Sequence, residues 1–167
     1  VSADQLALTV DDVSVAVGGK ATVTIRYAYV KEEASLGLGL AGFTLSYDNA
    51  IATIDAGSFA VGAEEFENVN PDPAATGMIA NGATKYDIYI NAIDPGALLA
   101  NSKAGVFATF EIEITKLDAD PDADDFALGT STEYALDTGG KDVPLLMDGG
   151  LVDIVKLFNA GDPALTV

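Results

Sequence analysis

Cysteine, histidine and tryptophan are all absent from this chain of 167 residues. Without cysteine the chain can form neither a disulfide framework nor a thiolate metal site. Without histidine it lacks the commonest general base and the commonest transition-metal ligand. The sequence also contains no serine-centred nucleophile elbow and no phosphate-binding glycine loop. It therefore predicts a protein that is not an enzyme.

Basic residues are scarce, with 8 Lys and Arg against 26 Asp and Glu and a net charge of −18 at pH 7. This imbalance argues against nucleic acid and against an anionic membrane surface as partners, since both attract clustered basic side chains. It favours solubility, divalent cations or a basic partner.

Long apolar runs are missing as well. The longest, Leu36 to Leu45, is too short and too rich in glycine to span a bilayer, so we expect no membrane insertion. No basic region followed by an apolar one opens the chain. We therefore expect any signal peptide to have been removed or to lie upstream.

Alternating apolar and polar residues dominate what is present. The segments Lys20–Tyr29, Tyr86–Asn91 and Val106–Thr115 alternate with a period of two and are rich in β-branched or aromatic residues. Turn sequences such as Gly18-Gly19 and Asp148-Gly149-Gly150 separate the alternating segments. Hydrophobic residues make up 49% of the chain, enough to close one core. The sequence thus predicts a single all-β domain built as a two-sheet β-sandwich or jelly roll.

Three short motifs occur in an order that resembles the cohesin domains. These are an SYD corner ending Gly42–Asp48, a GVFAT entry within Lys103–Phe110 and a DGG turn opening Asp148–Val152. Each motif alone is common, and GVFAT at its position carries most of the weight. The resemblance extends in order from Leu6 to Val155.

The resemblance implies a nine-stranded jelly roll over residues 1–155, with residues 156–167 as a C-terminal edge strand or boundary segment. It also implies a non-catalytic module that binds the dockerin module of another protein and so anchors cargo to a scaffold or cell surface outside the cell. In that family calcium belongs mainly to the dockerin, so no cofactor is required. One departure is clear, because Leu40 and Gly42 stand where cellulosomal members carry a partner-bonding Asn and Asp.

An outward-facing docking surface follows from the alternation of three strands. If Phe43, Ile88 and Phe110 face the core, their sequence neighbours point outward. The cohesin strand order would place these outward residues side by side on one sheet, as an apolar and aromatic patch with a polar rim. The predicted partner-binding residues are Leu38, Leu40, Thr44, Tyr89, Asn91, Phe107, Thr109 and Glu111.

An acidic segment, Leu117–Phe126, resembles the start of a calcium-binding loop because carboxylates alternate along it. Ala123 and Gly129 stand where an EF-hand loop needs its glycine and its bidentate glutamate, so a complete EF-hand is excluded. An irregular calcium site and a plain solvated acidic loop both stay open. The candidate calcium ligands are Asp118, Asp120, Asp122 and Asp124.

Two other functions are consistent with the same architecture. A carbohydrate-binding module would normally present a planar strip of Trp and Tyr to the sugar rings. This chain has no Trp, and only Tyr89 and Tyr134 are predicted to point away from the core, which favours protein docking. A structural surface-layer or adhesin domain is the other alternative. Glu111 and Glu113 share a strand face, but ordinary alternation produces such pairs, so they do not indicate glycoside hydrolysis.

Overall fold

The computed structural model describes residues 4–64, 66–70, 74–75, 77–92, 102–116, 125–137 and 139–154. This part of the chain contains twelve strands and no helix. The strands are β1 (Gln5–Val10), β2 (Val13–Val15), β3 (Lys20–Val30), β4 (Leu38–Tyr47), β5 (Ala52–Val61), β6 (Phe66–Asn68), β7 (Met78–Ala80), β8 (Lys85–Ala92), β9 (Lys103–Ile114), β10 (Phe126–Asp137), β11 (Leu145–Asp148) and β12 (Val152–Ile154).

The strands form two large sheets, which we call the first and the second sheet. The first sheet has the order β11-β1-β3-β9-β5, and the second has the order β10-β4-β8-β6 with β7 also paired to β8. A small parallel pair, β12-β2, completes the fold. Apart from that pair, the β1–β11 pairing is parallel and the remaining described pairings are antiparallel. The predicted two-sheet sandwich is confirmed.

The core lies between the two sheets, and along β3 it is filled by the residues that the alternation placed inward. Along β3 the inward residues are Val23, Ile25, Tyr27 and Tyr29, all of them buried. Aromatic rings join the sheets at the centre, where Phe107 lies 4.9 Å from Phe66 between ring centroids. Each large side chain that is fully buried contributes about 1.5–3 kcal/mol, so this packing is the main source of stability.

The alternation changes phase at two β-bulges, and this overturns two predictions of exposure. Opposite Ile25 and Arg26 of β3, strand β9 inserts Phe107 as an extra residue between Val106 and Ala108. Phe107 and Ala108 are therefore both buried. In β4, Leu38 and Leu40 pair with adjacent residues of β10, which leaves one residue over between them. Leu38 consequently turns into the core and is 3% exposed.

A buried carboxylate ties the start of β1 to the β3–β4 connection. Asp4 accepts hydrogen bonds from the Tyr29 hydroxyl at 2.6 Å, from the Glu32 N–H at 2.7 Å and from the Ser35 hydroxyl. Burial opposes ionisation of Asp4, but these donors outweigh it and hold the pKa of Asp4 below its usual value. Burial, followed by the hydrogen bond to Asp4, raises the pKa of Tyr29. This cluster fixes the connection that leads into β4.

Two predicted features lie outside the described residues. They are the acidic loop with Asp118, Asp120, Asp122 and Asp124, and the C-terminal segment 156–167. Within the described ranges, no helix has the length and apolar character needed to cross a membrane.

Candidate docking face

The outer surface of the second sheet gathers aromatic and aliphatic residues from three strands. In one row, Leu136 of β10 pairs with Leu40 of β4, which pairs with Asn91 of β8. In the next row, Tyr134 and Tyr89 flank Gly42. We call these six residues the docking face. They lie together because residues on three neighbouring strands share one face when their register positions match.

Gly42 makes the arrangement of the two tyrosines possible. A Cβ atom at this position would lie 2.7 Å from Cε1 and 2.8 Å from Cζ of Tyr134. The Tyr134 ring therefore lies across the strand directly over the glycine. Its centroid is 6.3 Å from that of Tyr89, and the ring planes are inclined by 47°. Burial, with a smaller contribution from Tyr89, raises the pKa of Tyr134, so its phenol is uncharged near neutral pH.

At one end of the same surface, polar side chains form hydrogen bonds with one another. Thr44 donates to Asp87 at 2.8 Å, and the Asn81 amide lies 3.3 Å from both oxygens of the same carboxylate. Thr44 is fully buried, and it lies opposite residues 129–132, where β10 leaves the ladder with β4. Because Thr44 is fully buried, the prediction that it is open to a partner is wrong.

Three of the eight predicted partner-binding residues come together on the docking face. Leu40, Tyr89 and Asn91 are half-buried and share the outer surface of β4 and β8. Their role in binding stays a prediction.

The predicted continuity with Phe107, Thr109 and Glu111 is wrong, because β9 belongs to the first sheet. Phe107 points into the core at 1% exposure. Thr109 and Glu111 are half-buried and pair with outward residues of β3 on the opposite side of the molecule. The backbone N–H of Glu111 donates to Ser58 at 2.7 Å, which ties that strand to β5.

The outer surface of the first sheet has a different composition. Its central strands β3 and β9 present Lys20, Arg26, Glu111 and Glu113. Arg26 forms an ion pair with Asp11 at 2.8 Å, and Lys20 lies 4.0 Å from Glu111. The central strands of the two outer surfaces therefore differ, because β3 and β9 present charged and threonine side chains and β10, β4 and β8 present the aromatic and aliphatic residues of the docking face. In the ranges that the structure describes, no group of three acidic residues is placed to hold a metal ion.

Comparison with known proteins gives matches at the level of structure. No protein-family model and no curated protein sequence matches the chain. The sixth cohesin of scaffoldin B from Acetivibrio cellulolyticus, solved with a Cel5 dockerin, superposes with a TM-score of 0.62 at 16% identity, over 90% of this chain and 99% of that one. This chain has a cohesin-like fold.

Two further cohesin structures also have a fold similar to that of this chain. A non-cellulosomal cohesin from the hyperthermophilic archaeon Archaeoglobus fulgidus has a TM-score of 0.60 at 14% identity, over 91% of this chain and 92% of its own. A Clostridium acetobutylicum cohesin, CaCohA2, in complex with CaDoc0917 has a TM-score of 0.60 at 23% identity, over 90% and 99%. The cohesin-like fold was predicted from the order of the SYD, GVFAT and DGG motifs, and it is confirmed.

Proposed function

We propose that the chain is a non-catalytic docking module that binds a dockerin module through the docking face. The observation that carries this proposal is the half-buried aromatic pair Tyr89 and Tyr134 around Gly42, on the outer surface of one sheet of a cohesin-like fold. Several of the similar cohesins were solved with a dockerin bound, which supports the same class of partner here.

Composition distinguishes the docking face from the outer surface of β3 and β9 at the centre of the first sheet. The buried centres of protein interfaces are enriched in Tyr and depleted in charged residues. Leu40, Tyr89, Tyr134 and Leu136 match that composition, whereas the outer surface of the first sheet carries charged side chains along β3 and β9. Aromatic anchors of this kind are also the residues whose truncation most often weakens binding.

The net charge of −18 supports a partner with a basic rim. Such a charge steers a basic partner toward the module and raises the association rate at low salt. In this proposal the module is displayed outside the cell, on a scaffold or at the surface, where it holds dockerin-bearing cargo.

The experiment is a pull-down with the immobilised domain against isolated dockerin modules encoded in the same genome, with calcium and with chelator. Insoluble polysaccharides serve as a second set of ligands. We expect capture of a dockerin that depends on calcium. Retention on a polysaccharide with no dockerin captured would instead identify the module as carbohydrate-binding.

The captured dockerin then tests the face. We expect Leu40→Asp to weaken binding by more than tenfold, about 1.4 kcal/mol, because a carboxylate replaces apolar area at the centre of the interface. The matched control is Leu146→Asp, since Leu146 is 56% exposed on β11 of the first sheet. If both variants keep native circular dichroism and bind equally well, dockerin binding does not use the docking face.

A further inference from the structure

The centre of the docking face is uncharged, and this indicates which kind of dockerin side chain packs against it. This inference rests on the proposed function. Leu40, Gly42, Tyr89, Tyr134 and Leu136 carry no charge, although the chain as a whole has a charge of −18. They form one continuous patch over two rows of register pairs. These five residues offer polar contacts only through phenol hydroxyls and backbone, and the Asn91 amide adds one uncharged polar side chain at the edge of the patch.

The nearest described carboxylate on β8 is already engaged. Asp87 accepts hydrogen bonds from Thr44 and from Asn81. Glu67 of β6 is exposed and pairs with Asn91, so it stands at the rim of the patch. Because interface centres exclude water while rims do not, the charges at this face belong to the rim and the apolar patch belongs to the centre.

We propose that Tyr134, held in place over Gly42, is a specificity-determining residue of this module and packs against an apolar side chain of the dockerin. Gly42 is a positioning residue in this arrangement, because only a residue without a Cβ leaves room for the ring. Binding then depends mainly on apolar burial between the two tyrosines and the two leucines, with the acidic rim acting on the association rate.

The structure offers a sharp variant to test the positioning. In Gly42→Ala the three atoms nearest the new Cβ all belong to the far end of the Tyr134 side chain, at 2.7 to 3.0 Å. The ring can therefore swing away without disturbing the backbone, and we expect native circular dichroism and a changed ring position. Carbon-13-labelled tyrosine spectra of the free protein detect this directly as shifted resonances of Tyr134 and Tyr89.

A double-mutant cycle with the captured dockerin tests whether Gly42 acts on binding through Tyr134. We expect Gly42→Ala and Tyr134→Ala each to weaken binding by about tenfold or more, and Gly42→Ala to add less than about twofold in the Tyr134→Ala background. The control is Gly105→Ala on β9 of the first sheet, where a Cβ would sit 3.4 Å from Tyr27 in ordinary contact. We expect that control to bind as the wild type does.

Salt separates an apolar centre from an ionic one. Raising sodium chloride from about 0.1 M to 1 M shortens the Debye length from about 10 Å to 3 Å. We expect the association rate constant to fall while the dissociation rate constant of the wild-type complex rises by less than about threefold, whereas a complex held by buried ion pairs would dissociate tenfold faster or more.

The outcomes are distinct. If the wild type captures no dockerin, the proposed function is wrong and this inference falls with it. If a dockerin is captured but Tyr134→Ala and Gly42→Ala bind like the wild type, the function stands and the role of Tyr134 is refuted. If Gly42→Ala still weakens binding in the Tyr134→Ala background, Gly42 contacts the partner itself and does not act by positioning the ring.

Discussion

Replacing Asp4 by asparagine tests the cluster that holds the entry to β4. Asp4 is 7% exposed, and its Oδ2 atom accepts from the hydroxyls of Tyr29 and Ser35 while Oδ1 accepts from the Glu32 N–H. In Asp4→Asn one oxygen can keep the backbone contact. The amide nitrogen then faces two hydroxyls, which must turn round to act as acceptors.

The expected loss of stability follows from the change in the kind of hydrogen bond that residue 4 accepts. Bonds to a charged group contribute about 1.5–3 kcal/mol each, and neutral ones about 0.5–1.5 kcal/mol. All three bonds change from the first class to the second, so the free energy of unfolding should fall by about 3 kcal/mol at pH 7. For a domain of this size, that lowers the melting temperature by about 6–12 °C.

The same substitution predicts a pH dependence. The pKa of Asp4 is lowered in the folded state, so its ionised form stabilises the protein above the unfolded-state pKa, which is about 3.9 for aspartate. That contribution is lost as the pH falls from there through the lower folded-state value. The difference in the free energy of unfolding between wild type and Asp4→Asn should therefore have its full size at pH 7 and decrease below about pH 4.

Urea unfolding followed by far-ultraviolet circular dichroism at pH 7, 5, 4 and 3 measures this gap. The chain carries a large negative charge, so removal of any carboxylate also relieves repulsion. Asp148→Asn, at an exposed position on β11, corrects for that effect. A gap that is absent at pH 7, or that stays constant down to pH 3, would refute the assignment of Asp4 as a charged acceptor.

Two further predictions concern the core and the acidic loop. Phe107→Ala should lower the free energy of unfolding by about 3–5 kcal/mol, because the ring packs against Tyr27, Phe43 and Phe66. The control Thr109→Ala, two residues further along β9, should lower it by less than about 1 kcal/mol. Equal effects of the two substitutions in urea titrations would mean that Phe107 is not in the core. Calcium at millimolar concentration should raise the melting temperature relative to chelator if Leu117–Phe126 binds it in the folded state. An unchanged melting temperature, with magnesium as the control ion, would leave this segment as a solvated acidic loop.

The alternation of residues predicted the strands that form the sandwich, but it could not predict where the alternation shifts. Along β3 every residue from Val23 to Tyr29 takes the side that the pattern assigned. On β9 the pattern holds from Ala108 to Ile114 and fails at Phe107. A bulge adds one residue to one strand and leaves no mark in the local composition. Each bulge therefore moved a predicted surface residue into the core.

The partners of Tyr89 were harder to predict for a different reason. Tyr134 was expected to point away from the core, but nothing in its neighbourhood indicates that β10 pairs with β4. That pairing joins segments about ninety residues apart, as the pair Tyr134 and Gly42 shows. No pattern in the sequence predicts that Leu136 lies on the docking face, because its position follows only from the register between β10 and β4. A glycine within an alternating strand was the available clue, because such a glycine often marks the close approach of another group.

The register that builds the docking face is fixed by the residues beneath it. Ala135 and Ala41 form a buried pair directly between the two outward rows. A slip of one residue would place Tyr134 in the core and Ala135 outside, so the core selects the register that exposes the tyrosine. The outward residues themselves are not constrained in this way, since they add little to core packing. The buried pairs can thus keep the cohesin-like fold at 14–23% identity, because core packing does not fix the identity of the outward residues.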